Sequence, residues 1–599
     1  MNKFLYTIMK KRLMWLVLFS TFLAGCEKLD QAPVATATKE AVFSSERGLE
    51  LYANSFYNVL PSANDVHRGD AMADYSARTQ VPDFLRPGAF GPRESSGWDW
   101  GELRNINYFI ANNNDPALSP AVRSHYMGLA RFFRAWFYFD KVKRFGDVPW
   151  ISKPMAVDDP ELYNGRDPRA LVMDSVLADL NYACENIATT DDDTRSLVTK
   201  YVAYAFKSRV CLYEGTFRKY HTDQQLGSSA DAWLQEAVAA SEKVMQESGF
   251  SLNTAGGAEN AYRQLFTSQT PVASEVMLAA VVDPALSVFN DANWWWTSST
   301  YGARVSLIRT FVNTYLKEDG TPFTDTPGHE TMLFSEEVEG RDARLAQTIR
   351  TGDYKRINGG TPVPAPPVFS YTYTGYQPIK WTLDDTYFDG GSRNTNSIPI
   401  IRFAEVLLNY AEAKAELGTF TDEDWAMTIG ALRQRAGITG GLETKPQVAD
   451  PYLQANYFPN ISDPALLEVR RERGIELALE GFRFDDIVRW ERGELMEMVW
   501  NGFYVPGLNQ PLDLNEDGVL DVSFYKTMPA NPLPGVTYVN VSETLSGGSP
   551  NPQRLSEDTH GELTWLANIP RVWDDKYYLY PIPERDRLLN PELGQNPGW

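Results

Sequence analysis

Apolar residues recur at helical spacing through much of the chain. The densest such stretch is residues 463–492, DPALLEVRRERGIELALEGFRFDDIVRWER. Asp463 is placed to N-cap a helix, with Pro464 in its first turn. On a 100° wheel Leu467, Ile475, Ala478, Leu479 and Phe482 share one face. The same periodicity predicts helices at residues 45–60, 102–113, 122–145, 168–187, 197–217, 230–249, 401–418 and 421–436. Aromatics crowd residues 122–145, VRSHYMGLARFFRAWFYFDKVKRF, before Gly146-Asp147-Val148-Pro149 stops the pattern; at that spacing they pack a core. Residues 168–187 with 197–217, and 401–418 with 421–436, read as helical hairpins. Ala411, Ala413 and Ala415 alternate with larger apolar residues, which suits helices packed closely in tetratricopeptide fashion. Between the helices lie long irregular regions near 61–101, 250–399 and 500–573. Loops of this length inside a compact protein tend to be functional.

Beside the apolar face, Glu468, Glu472, Glu476 and Glu480 follow one another at i, i+4. Four like charges in a row weaken a helix by a few tenths of a kcal/mol per pair. Arg471, Arg473 and Arg483 are close enough to relieve this, and Arg471, pointing into the apolar arc, needs a carboxylate partner inside the fold. Paired carboxylates also suit a glycosidase or a two-metal site. A helical metal site of that kind would add a Glu-x-x-His pair, which the chain lacks. The stripe therefore reads as a structural ion-pair network.

This stretch resembles the ERR-x-ELA-x-EG-x-R-xx-D-x-x-R-W segment of the SusD/RagB family, surface lipoproteins of Bacteroidetes that capture nutrients. Three further segments resemble the family in order: the helix ending in FGDVP, RFAEVLLNYAEA within residues 401–418, and the close YLYPIPERDRLLNPELGQNPGW. Trp599 stands where the family ends in Tyr, an exchange of one aromatic for another. The resemblance implies an all-α dominated fold, a right-handed tetratricopeptide-like scaffold over residues 39–599 as one domain, whose long loops hold the ligand site.

Charge and targeting agree. The 599 residues carry a net charge of −22. That balance excludes nucleic acid as a partner and adsorption to anionic lipid. Residues 1–25 carry Lys3, Lys10, Lys11 and Arg12 and no acid, followed by a short apolar run from Leu13 to Leu23, the pattern of a signal peptide. The run is too short to span a bilayer. Leu23-Ala24-Gly25-Cys26 resembles a bacterial lipobox, which implies cleavage before Cys26 and its lipidation, with residues 26–38 as a polar tether. Cys184 and Cys211 fall on consecutive predicted helices, offset by roughly 15 Å along the axis. A disulfide needs Cα atoms within about 7 Å, so both are expected as unpaired, buried thiols.

Nucleophile-elbow, Walker A and zinc-protease motifs are absent, and the histidines, His67, His125, His221, His329 and His560, are scattered singly. Each reads as a surface or core residue rather than a ligand. Residues 513–521, DLNEDGVLD, place Asp513, Asn515, Asp517 and Asp521 at positions 1, 3, 5 and 9 of a calcium loop, with the Val519 carbonyl at position 7 and Gly518 at the turn. Position 12 is Phe524 rather than a bidentate Glu. The alternative is an acidic turn without metal. The expectation is a stabilising calcium ion.

Ligand candidates are the aromatics expected in loops, where burial in a helical core does not account for them: Trp98, Trp100, Trp294, Trp295, Trp296 and Tyr301, with Asp99, Asn293 and Arg304 as polar partners. A flat indole covers the apolar face of a pyranose while nearby polar groups bind its hydroxyls. The opposing expectation is that about half of these rings pack the loops onto the scaffold. The reading is a non-enzymatic glycan-binding lipoprotein on the outer-membrane surface; the resemblance adds a SusC-like TonB-dependent transporter as partner. The alternatives are a RagB-like peptide receptor and a glycoside hydrolase using Glu476/Glu480 or Asp385/Asp389.

Overall fold

The computed structural model describes residues 39–599. The signal peptide, Cys26 and the tether of residues 26–38 lie outside the described residues. The helical hairpins appear where periodicity places them: α1 (Gly101–Asn112), α2 (Pro120–Phe145), α3 (Arg169–Asn186), α4 (Lys200–Tyr220), α5 (Ala230–Glu247), α6 (Phe403–Glu416), α7 (Pro464–Glu476) and α8 (Arg483–Arg489). Helix α2 packs on α3, α3 on α4, α4 on α5, and α6 lies across α4, α5 and α7. This is a tetratricopeptide-like array of antiparallel pairs. Ser119 caps α2 by accepting from the Val122 N–H, and Gly146 ends it at φ 72°, where a Cβ would sit 2.8 Å from the Leu579 side chain. The segment predicted at 421–436 is helical but passes through a π-turn at Ala426–Gly430. Cys184 and Cys211 are free and buried.

Short antiparallel ladders attach the irregular regions. Strand β1 (Ser76–Ala77) pairs with β3 (Ser306–Leu307), and β2 (Val276–Ala280) with β4 (Ile398–Arg402). A three-stranded sheet joins β5 (Asn501–Val505), β6 (Gln553–Leu555) and β7 (Gly561–Trp565), with β7 central.

Helix α7 is buried on every side: each residue after Pro464 is inside the protein. Asp463 caps it as expected, accepting from the Ala465 N–H at 2.9 Å. Each glutamate of the stripe meets cations. Glu468 accepts from Arg471 at 2.8 Å and from Arg433. Glu472 binds Arg433 at 3.0 Å and Arg344. Glu476 is bound by Arg344 at 2.8 Å, by Arg435 at 2.6 Å and by Arg402. Glu480 binds Arg402 at 2.8 Å and Lys380 at 2.6 Å. Arg471 finds its carboxylate in Asp450, Arg473 in Asp486 at 2.8 Å, and Arg483 in Asp74 at 2.7 Å. Burial opposes ionisation of Glu476, yet Arg435, Arg402 and Arg344 outweigh it and hold its carboxyl well below the usual range. The same device links the scaffold helices: Arg134–Asp179 joins α2 to α3, Arg169–Glu214 joins α3 to α4, Arg209–Glu405 joins α4 to α6, and Arg489–Glu412 joins α8 to α6.

One expectation fails here. Periodicity carries the helix through Phe482, but the chain leaves it after Glu476. Leu479 takes φ 66° and Gly481 φ 85° before α8 begins. The reason is tertiary. Buried Asp70 accepts from the Gly481 N–H at 2.9 Å and the Arg483 N–H at 3.1 Å. Gly69 meets Gly481 so closely that a Cβ on it would lie 2.5 Å from the Gly481 Cα. Ala478, Leu479 and Glu480 therefore reach the core from a reversed segment rather than from a helix face.

Glu476→Gln is expected to lower folding stability by about 3–5 kcal/mol, because it strands buried arginine charge. Equilibrium urea unfolding measures this. Since the native carboxyl is held low, its contribution is complete above the unfolded-state value of about 4.3 and is lost as pH falls below it. Below about pH 4 the wild type should therefore lose stability more steeply than the variant; parallel acid limbs would contradict the assignment.

Candidate functional site

Residues 291–304 build the most distinctive exposed feature. Asp291 opens a short helix, Ala292–Thr297, and its buried carboxylate takes two hydrogen-bond donors and lies beside an imidazole. The Tyr301 hydroxyl donates to it at 2.7 Å, Arg68 donates to it, and His67 Nε2 lies 3.3 Å away. Burial alone would raise the Asp291 pKa; the hydrogen bonds from His67, Arg68 and Tyr301 pull it far below the carboxylate range. This anion fixes the Tyr301 ring, which stacks on Trp294 with centroids 3.7 Å apart and planes at 17°. Both rings are half-buried, and Ser299, Thr300 and Gly302 beside them are exposed. Gly302 has φ 82°, and a Cβ there would lie 2.2 Å from the Trp295 carbonyl oxygen, so only glycine lets the loop close on the helix.

A second stacked pair stands at the other end of this loop. Arg304, at φ 50°, lies over the Tyr373 ring at 4.7 Å, and Tyr373 stacks on Trp565 at 3.8 Å and 14°. The Trp565 indole donates to the Arg78 carbonyl at 2.8 Å, and the Thr79 N–H to the Ala303 carbonyl at 2.9 Å. The β1–β3 ladder brings these loops together. The result is two aromatic stacks at the ends of an exposed loop, Arg68 beside the first and Arg304 over the second; Tyr373 is buried and Trp565 half-buried, so Trp294, Tyr301 and Trp565 are the rings left partly open beside guanidinium donors, the chemistry of a sugar platform.

Several predicted site residues belong elsewhere. Trp295 and Trp296 are buried, 7% and 4% exposed, so core packing accounts for them after all. Asn293 is fully buried and structural: its amide donates to the Leu383 carbonyl at 2.8 Å and to Asp389, and its oxygen accepts from the Leu383 N–H at 2.7 Å. Trp98 and Trp100 meet edge-on at 5.2 Å and rest on the end of α2, Trp98 on Phe145 and Trp100 on Phe137. Among the described residues no ring contact or hydrogen bond joins them to the Trp294 cluster, so they form a separate half-buried patch. Asp99 is exposed and accepts from the Gly101 N–H at 3.0 Å at the start of α1. Sequence reasoning missed Arg68, Asp291, Tyr373 and Trp565. Tyr373 lies in the tyrosine-rich run YTYTGY, but its stacking partner is nearly two hundred residues away and no local signal pairs them.

The hydrolase alternative loses both carboxylate pairs. Glu476 and Glu480 are buried under arginines. Asp385 caps the turn Thr386–Asp389 by accepting from the Tyr387 N–H, and Asp389 is bound by Arg356 at 2.7 Å.

In the loop at residues 513–521, Asp513 accepts from the Gly518 N–H at 2.8 Å, Asp517 from the Val519 N–H at 2.8 Å, and Asp521 from the Leu514 N–H at 2.8 Å. Gly518 is at φ 84°, and Asn515 Oδ1 is buried without a hydrogen-bond partner. Burial, with Asp513 and Asp517 nearby, raises the Asp521 carboxyl. The three carboxylates do not converge within 4.8 Å of one another, and Phe524 at position 12 is core.

A family model described as the SusD family matches residues 242–599, and one described as starch-binding associating with outer membrane matches residues 103–212. "SusD-like protein P2" of Formosa agariphila is 25% identical over 561 residues, covering 90% of this chain and 98% of that protein. A SusD-like protein of Bacteroides fragilis superposes with a TM-score of 0.66 at 20% identity, over 94% of this chain and 98% of that one. A SusD-like carbohydrate binding protein of the same organism gives 0.65 at 20% identity, over 92% and 100%.

The burial pattern separates neighbouring tryptophans. Trp295→Ala and Trp296→Ala should each cost about 3–5 kcal/mol of folding stability, the usual cost of emptying a buried indole site. Trp294→Ala, at a half-buried ring, should cost far less. Urea midpoints of the three variants decide it, and equal losses would contradict the placement.

Proposed function

The chain belongs to the SusD family, and from that premise we propose that it is a glycan-binding lipoprotein of the outer-membrane surface, lipidated at Cys26, that captures oligo- or polysaccharide and hands it to a SusC-like TonB-dependent transporter. The family is one of carbohydrate binding associated with the outer membrane, and its members are generally non-enzymatic binding proteins. Among the described residues no helix is long and apolar enough to cross a membrane. A structural neighbour is a SusD-like carbohydrate binding protein. The observation that carries the reading is the Trp294–Tyr301 stack, held by a buried, ionised Asp291 at the edge of an exposed loop. The ring pair is rigid before any ligand arrives, so stacking a sugar on it costs little ordering entropy. Stacking needs a flat face rather than a fixed hydrogen-bond register, so successive sugars of a flexible chain can use it.

Affinity is expected in the micromolar to millimolar range, roughly 4–8 kcal/mol. Against so small a total, one ring contributing about 1–3 kcal/mol is a large fraction. A glycan array on the lipid-free protein identifies the ligand, and calorimetry then compares variants. Trp294→Ala should weaken binding at least tenfold with little change in melting temperature, and so should Trp565→Ala if both stacks serve one ligand. Prolonged incubation with the bound polysaccharide should release no reducing ends. Unaltered affinity in both variants would place the site elsewhere. Binding of extended peptides in place of glycans would favour the peptide-receptor reading, and turnover abolished by one acidic substitution would favour a hydrolase.

We also propose calcium in the loop of Asp513, Asn515, Asp517 and Asp521, with the Val519 carbonyl as a further ligand. The unpartnered Asn515 oxygen and the mutual repulsion felt at Asp521 support it. Closing the carboxylates on the ion requires side-chain rotation, so affinity should be modest. Calcium in excess should raise the melting temperature by mass action, and Asp517→Ala should remove the rise. Identical melting curves in calcium and in chelator would sink the assignment.

A further inference from the structure

The cleft between the end of α4 and the chain that follows α8 holds a second arrangement, whose lining shares no residue with the aromatic stacks. His221 follows the last residue of α4 and is 3% exposed. Its ring is clamped, stacked on Phe217 at 4.0 Å and met edge-on by Tyr578 at 4.9 Å. Nε2 lies 2.7 Å from the Val488 carbonyl. A carbonyl oxygen only accepts, so Nε2 carries the hydrogen, and in the neutral ring the lone pair is on Nδ1. Nδ1 makes no hydrogen bond among the described residues, although the ring lines a cleft of about 400 Å³. One ring nitrogen of His221 and one carboxylate oxygen each of Asp223 and Glu491 lie within 4.8 Å of one another.

We infer that His221, Asp223 and Glu491 form a binding site for a first-row divalent cation of the zinc class. A buried imidazole whose far nitrogen donates to a backbone carbonyl is the usual orientation of a metal-ligating histidine, because that bond fixes both tautomer and ring plane. Imidazole with two carboxylates suits zinc, cobalt or nickel and not the all-oxygen shell that calcium takes. The charges balance, since two carboxylates neutralise the ion and a water completes the coordination. Asp223 and Glu491 are exposed, and the hydrogen bond that Asp223 accepts comes from its exposed neighbour Gln224 at 2.7 Å, so both carboxylates can close to the roughly 2.0–2.2 Å that zinc requires around the clamped histidine. Asp574 and Asp575 also line the cleft. Lys576 does not neutralise it: its ammonium lies over the Trp599 ring at 4.8 Å and is in no ion pair among the described residues. The ion would tie α4 to the segment after α8, two parts of the chain 270 residues apart.

The test uses the untagged full chain, stripped with chelator and titrated with zinc chloride by calorimetry, and with cobalt chloride by visible absorption. One equivalent of zinc should bind in the micromolar range and raise the melting temperature, and cobalt should give d–d bands. Asp223→Asn and Glu491→Gln change exposed side chains, so the metal-free melting temperature should stay put while each weakens zinc binding at least tenfold and removes the cobalt bands. No saturable zinc uptake, or uptake and bands unchanged in the double variant, overturns the proposal.

Discussion

A charge in a protein core must be matched where it stands, and this fold is arranged around doing so at Glu476. Three arginines reach its carboxylate, Arg344, Arg402 and Arg435, from three separate parts of the chain. None can leave without stranding buried carboxylate charge in low dielectric, so their segments are fixed relative to one another more tightly than apolar contact alone would fix them. Arg402 ends β4 and begins α6, and it also bridges Glu275 and Glu480. The ladder of β2 and β4, the scaffold helix α6 and the reversed segment after α7 therefore meet at one guanidinium.

The network also positions the ligand face. Lys380 neutralises Glu480, and three residues later the Leu383 N–H donates to Asn293, immediately before Trp294. On the opposite side, Asp70 binds the backbone at Gly481 and Arg483, two residues after Arg68 donates to Asp291. Both halves of the cluster around Asp291 are thus anchored within a few residues of the buried ion pairs. Rings held this way present a fixed surface, whereas the same rings on an unanchored loop would lose ordering entropy on every binding event. Asn293, expected to touch ligand, instead does the anchoring, and that is why it is fully buried.

The helical scaffold was legible because its signals are local. Spacing of apolar residues, Asp463 as a cap, and Gly146 as a stop each act within a turn or two of where they stand. The glutamate stripe was legible as structural for a related reason: four acids beside an apolar face, without the histidine that a helical metal site needs, must be matched by cations. The segments that resemble the SusD/RagB family fixed the family, which the match over residues 242–599 bears out.

Which residues make a surface was decided only in three dimensions. Trp294, Trp295 and Trp296 are consecutive and chemically identical, yet one faces a stacked tyrosine while two are buried. Period and composition cannot separate them, because the difference lies in what a distant loop brings against each ring. Tyr373 with Trp565, Arg68 with Asp291, and His221 with Glu491 are likewise pairs whose members lie far apart in sequence, joined by ladders and ion pairs that only the folded chain creates. The break after Glu476 is the same lesson at the backbone. A helix was the local preference, and a carboxylate four hundred residues away, Asp70, held the Gly481 and Arg483 amides in another conformation. Local preference amounts to tenths of a kcal/mol per residue, and buried hydrogen bonds to a charged group are worth more.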